Sequence, residues 1–318
     1  KKGDKFIPTH EGELNYTLRG CYTSAAKFKF KYRQLESELV RAESANTAVS
    51  ALLDAQPECL CDEWETALFN SFHDILPGSS IERAYDEQLA WVGGAMHSCK
   101  RTLFSSVNEL AKSIDTSVEV PKGDYPSGVP LLVFNPHPFE YNGPIEMEAS
   151  LDYRPIFEYK DKAADLPWEV LGPDRKPVAF QSIHTEHNFI QELPWRKRAL
   201  INAKIPPMGW AAYELRWRKG GVNPKFKGET ASSPKKGVIE NSVWRVEAKA
   251  GAKGIRILKN GKALFGKAGL SVATFEDPFS SWGDHYNEPD ARDINKLRET
   301  WTVENVKVLE NGPLRASL

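Results

Sequence analysis

Phe69-Asn70-Ser71-Phe72-His73-Asp74-Ile75-Leu76-Pro77-Gly78-Ser79-Ser80 marks a change of pattern in the chain. On its N-terminal side, Trp64, Leu68, Phe72 and Ile75 recur at spacings of four and three, one apolar stripe along a helix, with Asp62 placed as its cap. Pro77-Gly78 breaks that helix. Ser79-Ser80-Ile81-Glu82 then offers a capping box, in which a serine oxygen and a glutamate carboxylate each take up an orphan backbone N–H. A longer stripe follows through Tyr85, Leu89, Val92, Met96, Cys99, Leu103, Val107, Leu110 and Ile114. Upstream, Phe28, Tyr32, Leu35, Leu39 and Ala42 begin a stripe that runs through Val49 and Leu52 until Pro57 stops it. Three amphipathic helices joined by short turns predict a bundle over residues 1–118.

After Pro121 the period becomes two. Leu131-Leu132-Val133-Phe134 predicts a short buried strand closed by Asn135-Pro136-His137-Pro138. Further strands are predicted at 145–151, 178–183, 199–205 and 210–217. Proline and glycine punctuate all of them, which favours an antiparallel sandwich over 119–220. Residues 221–237 read as a solvated linker or loop, within a stretch where Lys219, Lys225, Lys227, Lys235 and Lys236 stand against Glu229. A second β region begins at Val238, with Asn260-Gly261 as a hairpin signal between 255–258 and 263–265. Asn311-Gly312 should turn the chain into a last strand, 314–318, that stops half made. The fold class is therefore multidomain α plus all-β: a three-helix bundle, then antiparallel β-sandwich domains. The last of these, 238–318, is expected to be the truncated start of a larger one, and the chain a fragment of a longer protein.

Charge excludes some functions. Lys and Arg total 42 against 43 Asp and Glu, a net charge of -1, so neither nucleic acid nor an acidic membrane is an expected partner. Hydrophobic residues at 41% and abundant aromatics exclude disorder as the main state. No apolar run of about 18 residues is present to span a bilayer. No apolar segment follows Lys1-Lys2-Gly3-Asp4-Lys5, so no secretory signal is visible and a cytoplasmic location is expected. Cys21, Cys59, Cys61 and Cys99 are too sparse for a disulfide scaffold and are expected to be reduced thiols, two of them buried between helices. Cys59-Leu60-Cys61 lacks the spacing of a structural zinc site.

His73 and Asp74 are expected in the last turn of the second helix, where the partial negative charge of a helix C-terminus favours a cation. An imidazole beside a carboxylate there is half of a metal site or simply a helix cap, and one His does not hold zinc alone. His184 and His187 stand three apart in a β context, which points them to opposite faces and against a shared metal. Asp277, Trp282 and Asp284 lie in an aromatic, acidic loop suited to stacking on a sugar and bonding its hydroxyls, or to packing as a surface turn.

The segment FHDILPGSS, together with Arg19-Gly20-Cys21-Tyr22-Thr23-Ser24, resembles glycoside hydrolase family 38, the retaining α-mannosidases. In family order, Glu13-Leu14 precedes the second motif. Val133-Phe134-Asn135-Pro136, Ile205-Pro206-Pro207-Met208-Gly209-Trp210 and Glu310-Asn311-Gly312-Pro313-Leu314-Arg315-Ala316 are similar to the family's VFNP, VPPLGY and ENGPVRA. The resemblance implies a catalytic α/β barrel ahead of the bundle and a zinc ion. By that resemblance the zinc would be held by a barrel His-x-Asp, a further barrel Asp that is the nucleophile, and a bundle His, here His73. It implies that Asp74 lines the same site, that the substrate is an α-mannoside or oligosaccharide, and that zinc holds the sugar's 2- and 3-hydroxyls. It implies also a covalent mannosyl intermediate and a second carboxylate that serves as acid and then base.

The chain departs from that pattern in one large respect: no His-x-Asp occurs in it, and the barrel is missing. Cys21 stands where threonine is more usual. The resemblance therefore implies the non-barrel portion of an α-mannosidase, inactive alone, with the absent barrel as its partner. Arg19 either pairs with an acidic residue of that barrel or caps the bundle. An uncovered barrel-facing surface should be apolar, so weak self-association, as aggregate or homo-oligomer, is expected. The rival reading is a non-catalytic carbohydrate-binding or scaffolding β-sandwich module.

Overall fold

Helix α1 (Ala26–Leu52) buries Phe28, Tyr32, Leu35, Leu39, Ala42 and Val49 on one line, as its period requires. It ends before Pro57. Asp54 adopts φ 52°, and the Ala55 N–H reaches back to the Ser50 carbonyl at 2.8 Å, the closing bond of a left-handed helix end. Leu52 is thereby left exposed. Helix α2 (Cys61–Asn70) is shorter than its stripe suggests, and Leu60, not Asp62, is its N-cap, without a side-chain bond. Asp62 and Glu63 instead occupy the first turn, where carboxylates suit the helix dipole. Helix α3 (Glu82–Ser113) buries Val92, Met96, Cys99 and Leu110 from the predicted stripe.

The computed structural model describes residues 9, 11, 19–119, 128–159, 167–186, 195–218, 224–227, 230–266, 269–276 and 296–318. Two compact units divide the chain: Lys1–Val40, Cys59–Arg101 and Phe275–Arg298 in one; Arg41–Glu58, Thr102–Thr274 and Glu299–Leu318 in the other. No helix among the described residues is long and apolar enough to cross a membrane.

In the second unit, two three-stranded antiparallel sheets share one core. The first orders β1 (Val129–Asn135), β6 (Gly209–Trp217) and β3 (Trp168–Leu171); the second orders β2 (Tyr141–Ser150), β5 (Arg196–Ile205) and β4 (Phe180–Ile183). Ala199, Ile201, Ala203 and Ile205 on β5 and Ala211, Tyr213, Leu215 and Trp217 on β6 alternate into the core, the period of two made physical. β3 lay outside the predicted strands. It buries Glu169, whose carboxylate takes Arg216 Nε at 2.8 Å and Arg218 Nη1 at 3.0 Å. A third, five-stranded sheet orders β11 (Lys262–Ala263), β10 (Arg256–Lys259), β9 (Trp244–Glu247), β8 (Val238–Glu240) and β7 (Ser232–Lys235). Asn260 (φ 49°) and Gly261 (φ 75°) make the β10–β11 turn, whose two central residues both need positive φ. Glu310–Asn311 pairs with Ala316–Ser317, as the Asn311-Gly312 signal predicts. None of the sheets among the described residues closes into a barrel.

Within the same unit, Asn46 is 5% exposed and ties down the segment after α1. Its Nδ2 donates to the Glu58 carbonyl at 2.7 Å and its Oδ1 accepts the Glu58 N–H at 3.3 Å. Thr102 on α3 donates to the Glu58 carboxylate at 3.0 Å. Asn46→Ala strands two backbone groups at once, and about 1–3 kcal/mol should be lost. Urea unfolding checks this; a midpoint within error of wild type would show the pair to be hydrated at no cost.

Candidate functional site

His73 and Asp74 do not lie in α2. The ladder tightens at Ser71, whose N–H is shared between the Ala67 and Leu68 carbonyls at 3.1 Å each; Phe72 N–H then bonds Phe69 at 3.2 Å. That three-residue step ends the helix at Asn70 and sends residues 71–77 through successive turns. The helix-terminus argument for a cation at His73 is thereby displaced. What remains is an exposed turn on which His73 Nε2 stands 3.4 Å from Asp74 Oδ2, with the side chains 77% and 54% exposed. The Phe72 ring lies 4.2 Å from the imidazole, centroid to centroid.

Three groups fix this turn. Lys29 Nζ donates to the carbonyls of Cys21 and Ser24 and, at 3.1 Å, to that of Pro77. Burial pulls the Lys29 ammonium below its ordinary value, with Cys21 opposing. Tyr85 of α3 donates its hydroxyl to the Ile75 carbonyl at 2.8 Å and accepts the Ser80 N–H at 3.2 Å, while its ring meets Phe28 edge-on at 5.4 Å. Gly78 (φ 92°) backs directly onto Ser24: a Cβ there would lie 2.5 Å from Ser24 Cβ and 3.0 Å from its carbonyl carbon. The two segments RGCYTS and FHDILPGSS, far apart in sequence, are therefore packed against each other. Sequence reading did not single out Lys29 or Gly78 for this role and took Tyr85 as one member of an apolar stripe. A lone lysine in Phe28-Lys29-Phe30 carries no signal of the three carbonyls it meets.

Leu68 (66% exposed), Phe69, Phe72 and Trp91 of this unit are exposed, Phe69 and Trp91 in ring contact at 5.7 Å. Of the predicted α2 stripe, Ile75 is buried; Leu68 and Phe72 face outward, because a period fixes a face and not its neighbour.

Among the described residues of this turn, the donors available to a metal are one imidazole and one carboxylate. Among the described residues no group of three or more His, Cys, Asp or Glu side chains could hold a metal ion. His73 and Asp74 thus fit part of a zinc site and not a whole one. Cys59 and Cys61 are bonded to each other, their Cα atoms 5.4 Å apart, which corrects the expectation of four free thiols and removes both as ligands. Cys21 is half-buried, and Cys99 alone is fully buried, its thiol pushed up to about 11 by burial, then by Glu63 and Glu38. His184 Nδ1 lies 2.9 Å from the Thr185 carbonyl; His187, Asp277, Trp282, Asp284 and the Arg19 side chain lie outside the described residues.

Residues 16–110 match the family model described as alpha mannosidase middle domain. Alpha-mannosidase G of Dictyostelium discoideum is 32% identical over 105 residues, and an alpha-mannosidase of Saccharomyces cerevisiae 39% identical over 84. Those matches take in 32% and 25% of this chain and 10% and 8% of the two relatives, so the chain spans a small part of their length. A crystal structure of a glycosyl hydrolase family 38 protein from Enterococcus faecalis superposes with TM-score 0.65 and 19% identity over 97% of this chain and 37% of that one. An alpha-mannosidase from Enterococcus faecalis V583 does so with TM-score 0.58 and 18% identity over 76% and 29%. These structures share the fold: helices followed by antiparallel sheets.

Proposed function

From the match of residues 16–110 to the alpha mannosidase middle domain, we propose that the chain is part of a glycoside hydrolase family 38 α-mannosidase, that the whole protein hydrolyses terminal α-mannosides with retention, and that this chain supplies His73 to its active site. His73 is one ligand of a zinc ion whose other ligands stand on a catalytic barrel domain outside this chain, and Asp74 lines the same site. The observation that carries the reading is the turn itself: an exposed imidazole–carboxylate pair on a turn whose backbone is fastened just downstream by Lys29, Tyr85 and Gly78. Structural effort of that kind spent on an exposed His suits a ligand presented to a partner domain better than a surface residue.

When bound, zinc would hold the sugar hydroxyls. The residues of this chain orient one of its ligands and bring one carboxylate beside it. Leu68, Phe69, Phe72 and Trp91 form the apolar surface that the barrel covers, and the chain alone is inactive. In the whole enzyme, His73→Ala should lower turnover of 4-nitrophenyl α-mannoside by at least about 100-fold and deplete bound zinc, with circular dichroism unchanged. Undiminished turnover and zinc content in that variant would overturn the assignment.

A further inference from the structure

Lys235 and Lys236, read from sequence as the end of a solvated linker, close β7 and turn it into β8. Lys235 stands opposite Val238, Val238 opposite Glu247, and Glu247 opposite Arg256. Residues directly opposite on antiparallel strands share a face, so these four make one row across β7, β8, β9 and β10. Successive antiparallel strands reverse direction, so the turn after β7 and the loop after β9 leave the sheet at the same end. Lys236 rides on the first, Lys249 and Lys253 on the second. Together Lys235, Lys236, Lys249, Lys253, Arg256 and Glu247 line a cavity of about 630 Å³.

The walls are tied by backbone. Ala248 N–H donates to the Gly237 carbonyl at 2.8 Å, Gly251 N–H to Val303 at 2.8 Å, and Val303 N–H to Ala252 at 2.9 Å. Among the described residues one carboxylate lines the cavity, and it is already engaged: Glu247 takes Arg245 Nε at 2.7 Å and Arg256 Nη1 at 2.9 Å. Arg245 first, then Arg256 and Lys235, hold it below the ordinary glutamate value. Lys236, Lys249 and Lys253 have no ion-pair partner among the described residues. Among the described residues the cations round this concavity outnumber the carboxylates, which is repulsive in the empty state, and an anion relieves it. A volume in the range of small-molecule sites, on a fixed wall, selects a compact anion over a long one lying on a flat patch.

We infer that this cavity binds a compact, multiply charged oxyanion: a phosphate or sulfate ester on a carrier of one or two sugar-sized rings. The cations meet the ester oxygens, and the lysine stems with Val238, Ala248 and Ala252 meet the carrier.

Calorimetric titration of the chain with glucose 6-phosphate and, separately, glucose 6-sulfate tests it. Saturable one-site binding is expected, weakened at least about tenfold between low and high salt. Tighter binding of the phosphate would assign the ligand to phosphate monoesters; the reverse would assign it to sulfates. Lys236→Glu with Lys253→Glu should weaken binding at least about tenfold, whereas reversing the exposed Lys27 and Lys100 should leave it unchanged. Should the charge reversal unfold the sheet, lysine acylation of the unaltered chain gives the same answer: bound ester should slow modification of Lys235, Lys236, Lys249 and Lys253 but not of Lys27. No saturable binding of either ester, equal loss in the Lys27 and Lys100 control, or binding only to heparin or duplex DNA would overturn the inference.

Discussion

Gly78→Ala should cost the helical unit about 2–5 kcal/mol of stability. Two independent costs add. The position has φ 92°, and holding a residue with a side chain in left-handed territory costs roughly 1–2 kcal/mol. The new methyl would also lie 2.5 Å from Ser24 Cβ and 3.0 Å from the Ser24 carbonyl carbon. Ser24 has little room to retreat, because its Oγ donates to the Gly20 carbonyl at 2.7 Å and its own carbonyl receives Lys29. Overpacking against fixed backbone adds about 1–3 kcal/mol. Urea unfolding followed by far-ultraviolet circular dichroism measures the sum; a loss under about 0.5 kcal/mol would mean that the two signature segments are not in register here. The same substitution should detach Pro77 from Lys29 and let the His73 turn move.

Arg315→Met is the second large effect, expected in the β region at about 1–3 kcal/mol near neutral pH. Arg315 grips Glu310 with two nitrogens, Nε at 2.5 Å and Nη2 at 2.7 Å, and reaches Glu146 on β2 with Nη1. Glu146 also receives Arg198, whose Nε stands 3.7 Å from Glu148, so a row of alternating charges runs along the outer face of the sandwich. The Arg315 side chain is 38% exposed, and solvent screening trims the gain. Acid reports on the same contacts. Hydrogen bonds from Arg315 hold the carboxyls of Glu146 and Glu310 below their ordinary value of 4.5. A carboxyl depressed on folding stabilises the protein above its unfolded value, and that stability is lost as pH falls through the folded one. Wild type should therefore weaken below about pH 4.5 and the variant less so, closing the gap between them. Parallel unfolding series at neutral and acid pH check this; a gap that stays constant would place the effect in packing instead.

The elements of this fold that announced themselves are those whose cause is local. The alternation in Ala199–Ile205 and the paired positive φ of Asn260-Gly261 need no distant partner, and both took the predicted form. Trp168-Glu169-Val170-Leu171 did not read as a strand because a buried charge interrupts its pattern, and what neutralises Glu169 lies 47 and 49 residues away. The α2 stripe was legible as a stripe, but its outward face was not, since period carries no information on what covers a surface. At the candidate site, His73 and Asp74 were found from sequence, while the clamp beneath them was not: Lys29 reaches Pro77 across 48 residues. The pairing of Cys59 with Cys61 was missed for a different reason, a spacing too short to resemble any metal or scaffold pattern.

Gln181 on β4 is buried, and its amide closes onto residues far downstream: Oε1 accepts the N–H groups of Leu314 and Arg315, and Nε2 donates to the Arg315 carbonyl at 3.0 Å. Gly312 has no room for a side chain beside it, since a Cβ would lie 2.2 Å from the Gln181 amide carbon. Leu314 follows Gln181 by 133 residues, a delay of roughly 7–27 s at ribosomal elongation rates. Throughout that interval the Gln181 amide on β4 waits for its backbone partners, and the segment that pairs Glu310–Asn311 with Ala316–Ser317 acts as a late latch on a sandwich made well before it.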